Sequence, residues 1–167
     1  MPTTPDPQQG FVHLHLHSEY SLLDGGNTVR ALVARVKELG MDAVAITDHG
    51  NLHAAVEFHD HARREGIKPI LGIEAYVAPS CRTERTRTES TFGGFHLVLL
   101  AETMVGWRNL MKLSSDAFIN GFYYKPRTDK SMLESHSEGL IAINGHLGSS
   151  LAHHLELFER HGTEEHW

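Results

Sequence analysis

The stretch Phe11-Val12-His13-Leu14-His15-Leu16-His17 decides how this chain is read. Val12, Leu14 and Leu16 alternate with three histidines. A period of two sends successive side chains to opposite faces of a strand, so the stretch predicts one apolar face and one imidazole face. Residues i and i+2 of a strand lie roughly 6.5 Å apart at the backbone. His15 and His17 are therefore spaced to converge on one ion or to serve two adjacent ones. Ser18-Glu19-Tyr20-Ser21-Leu22-Leu23-Asp24-Gly25 follows and brings a carboxylate, Asp24, close to the strand end. His13 shares the face and is expected below the ligands, in a packed or hydrogen-bonded role.

Outward from this stretch, helical spacing appears over 28–39 at Val29, Leu32, Val33, Val36 and Leu39, with Gly40 as a stop signal. Short apolar runs predict strands over 42–47, 69–77, 95–101 and 140–144. Helices are expected over 52–65, 103–119 and 149–160. Strands alternating with helices imply parallel pairing and an α/β fold, layered or closed into a barrel. Two polar stretches without periodicity, 79–94 and 120–138, interrupt the rhythm and are long for loops. Residues 1–10, polar and proline-containing, read as a disordered leader without the apolar run of a signal peptide or membrane span.

Composition narrows the chemistry. With 167 residues the chain has room for one domain with a real core. A formal charge of −6 argues against a broad phosphate-tracking surface, so any contact with nucleic acid must be local or bridged by cations. One cysteine, Cys81, excludes an internal disulfide framework and a thiolate-rich zinc cluster, and points to a reducing, cytoplasmic setting. Fourteen histidines scattered along the chain are neither a tag nor a low-complexity tract.

Their placement is informative. The second expected strand ends in Thr47-Asp48-His49-Gly50, the third carries Gly72-Ile73-Glu74, the fourth begins Phe95-His96, and the fifth ends Asn144-Gly145-His146. In parallel α/β folds, ligands gather at the carboxyl ends of strands. Imidazole mixed with carboxylate and no thiolate suits Zn, Mn or Fe, and more ligands than one tetrahedral ion can use implies two or three divalent metals. Clusters of this kind serve phosphoester hydrolysis.

The strings FVHLHLHSEYSLLDG (11–25), AITDHGNLHAAVEF (45–58), GIKPILGIEAYVAP (66–79), RNLMKLSS (108–115), GFYYKPR (121–127) and HSEGLIAING (136–145) resemble the PHP (polymerase and histidinol phosphatase) domain. The likeness is strongest to its branch at the N-terminus of bacterial DNA polymerase III alpha subunits. It implies a distorted seven-stranded (β/α) barrel, with about five strands present here, and a trinuclear metal site. In some members that site carries a 3′–5′ exonuclease acting on a primer 3′ end. It implies metal positions at His15, His17, Asp24, His49, Glu74, His96 and His146, the last often cysteine in polymerase members. It further implies DNA and other replicase subunits as partners of the parent protein. The family's later Asp-x-His motif does not occur before Trp167, so 11–167 reads as an incomplete PHP domain, and the isolated chain is expected to be inactive although the parent protein is an enzyme.

Competing readings stay open. The fold could serve as a structural module of the polymerase without turnover, or as a stand-alone histidinol-phosphatase-like phosphoesterase. GFYYKPR and RNLMKLSS favour the polymerase branch. Lys125 and Arg127, in the string Phe122-Tyr123-Tyr124-Lys125-Pro126-Arg127, could bind substrate, since aromatics beside cations stack bases and neutralise phosphates. An anchored loop explains the string equally well. Asp24 could also cap a helix, and His146 could be a loop histidine. His53, Glu57 and His61 share a helix face at the wrong spacing for a His-Glu-x-x-His site and read as solvated. Arg82, Arg85 and Arg87, interleaved with Glu84 and Glu89, read as a solvated loop.

Overall fold

A computed structural model of the chain describes residues 10–85, 93–144 and 146–161. The leader expected at 1–10, except Gly10, lies outside the described residues, as do Arg87, Glu89 and Gly145. The elements run α1 (Val29–Glu38), β1 (Ala43–Ile46), α2 (Ala55–Arg64), β2 (Lys68–Val77), β3 (Phe95–Ala101), α3 (Met104–Ile119), β4 (Arg127–Thr128), α4 (Lys130–Ser135), β5 (Leu140–Ile143) and α5 (Ser150–His161). Helix starts follow capping chemistry. The hydroxyls of Thr28 and Thr103 and the carboxylate of Asp129 accept from Ala31, Gly106 and Met132 amides at the heads of α1, α3 and α4. The stretch 120–138, expected to be an excursion, contains β4 and α4. Neither shows in the apolar pattern, because β4 has two residues and α4 buries none.

The sheet order is β1-β2-β3-β5, with β4 on β2. β1 and β4 pair with β2 in parallel, but β3 runs antiparallel to both β2 and β5. The all-parallel expectation is thus corrected to a mixed α/β sheet with one reversed strand. Among the described residues no helix joins β2 to β3, and the next strand returns in the opposite direction. β1 and its continuation use one edge of β2 up to the His49–Glu74 bridge, and β4 takes over at Tyr76 and Val77. The sheet does not close on itself among the described residues, where β5 pairs with β3 alone. Ile141 and Ala142 of β5 stay exposed.

The N-terminal stretch departs from the expected strand. The chain bends at Leu14 and His15, and Leu14 is exposed. Ala45 and Thr47 donate to the carbonyls of His13 and Leu16, at 2.8 Å each. Three steps on one segment therefore face two on the other, and the extra residue is thrown out as in a bulge. The strict alternation of 11–17 is broken, while the segment remains tied to β1.

Helices cover one face of the sheet. Val29, Val33 and Val36 of α1, Phe58 and Ala62 of α2, and Val44 and Ile46 of β1 form one cluster. Phe58 is fully buried there, a contribution of about 1.5–3 kcal/mol. Ile73, Ala75 and Leu99 pack with Leu110 and Leu113 of α3 in a second cluster. Alternation along the same strands turns Ala45, Ile70, Val98, Leu100 and Ile143 to the other face. Glu74 and Tyr76 share that inner face, as does His96, which pairs directly opposite Tyr76.

Candidate metal centre

Glu74, fully buried on β2, is the centre of the site. Its Oε2 lies 2.9 Å from His15 Nε2 and 2.6 Å from His17 Nε2, and its Oε1 lies 2.5 Å from His96 Nδ1. His49 Nδ1 is 3.2 Å from Oε2. His49 Nε2 is 2.8 Å from Asp24 Oδ2, and His17 Nδ1 is 3.8 Å from the same oxygen. Each element delivers one part. The bulged N-terminal segment brings His15 and His17, the loop after it Asp24, the extension of β1 His49, β2 Glu74, and the start of β3 His96. The reversal of β3 explains why a residue at a strand's start joins residues at strands' ends. His96 pairs with Tyr76, near the carboxyl end of β2.

Three overlapping ligand groups result among the described residues: His15, His17 and Glu74; His17, Asp24 and His49; and His49, Glu74 and His96. Within each, the donor atoms lie within 4.8 Å of one another. His49 Nδ1 is buried and makes no hydrogen bond, which is costly for an imidazole nitrogen unless a ligand occupies it. The donor set of imidazole and carboxylate, and this orphaned nitrogen, fit divalent transition metals. His146 stands at the rim. Its ring stacks on His96 at 4.9 Å and 10° and lies 5.9 Å from His15, while its Nδ1 accepts from the Gly148 amide. It belongs to none of the three groups. Burial lowers its pKa, which keeps the imidazole in the neutral form that metals require.

The electrostatics follow from this convergence. Burial alone would raise the Glu74 carboxyl, but hydrogen bonds from His17, His96 and His15 and the charge of His49 pull it below the ordinary carboxylate range. The hydrogen bond to Glu74 raises His17, against the opposing effect of its own burial. Tyr76 is pushed up to about 12, first by burial and then by the Glu74 charge, so its hydroxyl keeps its proton.

A pH dependence follows for the metal-free protein. His17 contributes stability fully below its unfolded value of about 6.5, and the contribution is lost as pH rises through its higher folded value. Glu74 contributes above about 4.5 and loses its contribution as pH falls through its lowered value. In chelator, the melting temperature is expected to fall as pH is raised from about 6 to about 9, where imidazoles lose their protons. Scanning calorimetry checks this, and a flat or rising melting temperature would contradict it.

Asp48 is the residue whose weight the sequence concealed. It stands beside His49, yet its side chain points away from the ligands and into a buried network. Its oxygens accept from the Ser18 amide at 2.7 Å, the Ser18 hydroxyl at 2.8 Å and the Ser21 hydroxyl at 2.7 Å. Ser21 Oγ in turn accepts from the His49 amide. The network ties the loop carrying Asp24 to the backbone carrying His49. Gly25 closes that loop, since a Cβ there would sit 1.7 Å from the Ser18 carbonyl oxygen. Gly50 has φ +63°, and a Cβ on it would meet Pro126 and Tyr76. Tyr76, unremarked in the sequence, packs its ring parallel to His49 at 5.9 Å and edge-on to His96 at 5.0 Å.

The two basic residues separate. Lys125 Nζ sits 5.3 Å from the centroid of Tyr76, at the edge of the site. Arg127 is buried and donates to the carbonyls of Gly121, Arg82 and Glu84, so it anchors backbone and is not brought to the cluster. Arg82, expected in solvent, instead pairs with Asp116 and Asp129. His13 packs edge-on to Phe11 and takes no part in the ligand groups. His53 and Glu57 are exposed; His53 lies in the turn before α2, off the helix that carries Glu57 and His61, and none of the three joins a ligand group among the described residues. No described helix is long and apolar enough to cross a membrane.

Comparison with known proteins places these features. Residues 13–167 match the model of the PHP domain. DNA polymerase III subunit alpha of Helicobacter pylori is 48% identical over 88% of this chain and 12% of its own length. The same subunit of Treponema pallidum is 47% identical over 95% of this chain and 14% of its own. That of Thermus aquaticus is 49% identical over 84% and 12%. The chain thus spans about one-eighth of the length of these relatives. Its mixed α/β sheet, its His/Glu ligand groups and the match over 13–167 lead to one statement of kinship: the chain belongs to the PHP domain family.

Proposed function

We propose that the chain is the front of the PHP domain of a cytoplasmic DNA polymerase III alpha subunit, and that its metal centre hydrolyses phosphodiesters, in the parent protein at a DNA 3′ end. The convergence of four imidazoles on the buried Glu74 carries this reading. His15, His17, Asp24, His49, Glu74 and His96 would hold two or three divalent ions, Zn, Mn or Fe, with His146 completing the rim. Bound there, the ions supply Lewis-acid charge to phosphoryl oxygens and lower the pKa of water. The protein's own residues do the rest. The Asp48 network holds the Asp24 loop against His49. Tyr76 packs His49 and His96 in place and shields them from water. Lys125 neutralises a phosphate entering beside Tyr76. Polymerisation, and contacts with other replicase subunits, belong to the remainder of the parent protein.

The test combines metal analysis with a nuclease assay. The wild-type protein is expected to purify with metal, and His49→Ala, which removes a ligand from two of the three groups, to lose most of it. In the full-length parent protein, release of nucleotides from a single-stranded 3′ end should be lost with the metal. Equal, near-zero metal in both proteins would remove the basis of the proposal. Metal without nucleotide release would leave a structural module.

A further inference from the structure

Thr128 of β4 is 3% exposed, and its hydroxyl has no hydrogen-bond partner among the described residues. The other buried side-chain atom in that position is His49 Nδ1, at the metal centre. A hydroxyl taken out of water without a partner is costly, and valine has nearly the same shape without that cost. The strand register shows which way the hydroxyl turns. Thr128 pairs with Val77, which shares its face with Ile73 and Ala75, and that face packs on α3. The Thr128 side chain is therefore turned toward α3, away from the face that carries Glu74.

A cavity of about 10 Å³ lies on the same side, lined by Thr128, Ser114 and Ala117 of α3, Ala75 of β2, Gly50 and Pro126. It stands where the continuation of β1 leaves the edge of β2 and β4 takes that edge over. Gly50, Ala75 and Ala117 bring little or no side chain to this junction, which leaves the space. Ser114, half-buried, is the second lining residue with a hydroxyl.

We infer that this cavity binds one internal water molecule, which bridges the Thr128 hydroxyl to the Ser114 hydroxyl and so ties β4 to α3. Roughly 10–15 Å³ is room for a single water and for nothing larger. Each hydroxyl both donates and accepts, so the pair can satisfy a water in either direction. The water lies behind Gly50, the residue that follows His49, and is separate from any water carried by metal ions. The inference does not depend on the phosphodiester reading.

The sign of one substitution tests it. Thr128→Val keeps the shape and removes the hydroxyl. If a water satisfies that hydroxyl, the variant loses a hydrogen bond and its melting temperature falls by about 2–4 °C. If the cavity is dry, the variant sheds an unsatisfied polar group and melts at or above the wild-type temperature, which overturns the inference. Oxygen-17 magnetic relaxation dispersion counts long-lived waters directly. At equal metal loading, the wild type should hold one more than Thr128→Val, and one more than Ala117→Val, which fills the cavity from α3. Equal counts in the wild type and Thr128→Val overturn the inference even where the variant melts lower, since packing would then be the cause. Should the variants fail to fold, a high-resolution crystal structure of the wild type decides. Ordered solvent density within hydrogen-bond distance of Thr128 Oγ1 upholds the site, and none there refutes it.

Discussion

Exchanging Glu74 for glutamine is expected to strip the chain to at most one metal ion. The carboxylate belongs to two of the three ligand groups, and only His17, Asp24 and His49 form a group without it. Glutamine keeps the shape of a fully buried side chain, so the fold should survive. Its amide offers a neutral oxygen where a charged one stood, a poor ligand for a transition metal. Metal content by mass spectrometry should fall from two or three ions per chain to one or none. Asp24→Asn removes a member of one group only and should cost a single ion. The pair of results separates a shared central ligand from an ordinary one; equal losses would show that Glu74 is not central. In the metal-free Glu74→Gln protein, the His17 pKa should drop back toward its ordinary value, since the bond to Glu74 is the largest cause of its elevation. A titration of the imidazole proton resonances reads this directly.

Asp48→Ala is expected to be the most destabilising single change near the site, on the order of 3–5 kcal/mol. It leaves the Ser18 amide and the Ser18 and Ser21 hydroxyls without their acceptor in a place closed to water. For a domain of this size, the melting temperature should drop by on the order of 10 °C. Asp48→Asn retains an acceptor and should lose about half as much. Neither substitution touches a ligand. Metal affinity should nonetheless fall by roughly 10- to 100-fold, as when the groups that orient ligands are removed. Thermal denaturation with and without metal separates the two effects. A melting temperature unchanged in Asp48→Ala would mean that the network is incidental.

Much of this was legible in the sequence, for identifiable reasons. Helix α3 and strand β3 stand within a residue of their expected limits, because a capping threonine and a continuous apolar run mark their ends. The side chains of His15, His17, Asp24, His49, Glu74 and His96, drawn from separate motifs of the sequence, stand together in overlapping groups that could hold a metal. The strand expected at 11–17 failed because alternation reports which residues are apolar, not how many of them a neighbouring strand accommodates. The reversal of β3 was hidden because an apolar run carries no mark of the direction in which its strand runs. Asp48 was hidden in plain view, since an acid next to a histidine reads as a second ligand or as nothing. Only the fold shows its carboxylate turned toward Ser18 and Ser21. For Arg127 the sequence left a substrate contact and an anchored loop equally open, and its burial among three carbonyls makes it the brace of an anchored loop.

The reversed strand also carries a consequence for how this site tolerates change. His96 faces Glu74 through the pairing of Tyr76 with His96, and faces alternate with each residue along both strands. What matters at His96 is therefore parity. Outside the part held at Arg82 and Glu84, the connection between Val77 and Phe95 can gain residues without moving the histidine, because there it only has to reach from one strand to the next. A single residue gained or lost between His96 and Ala101 would turn the imidazole to the helical side and present an aliphatic chain in its place. Among related chains, length should drift freely in the first interval and be held constant in the second.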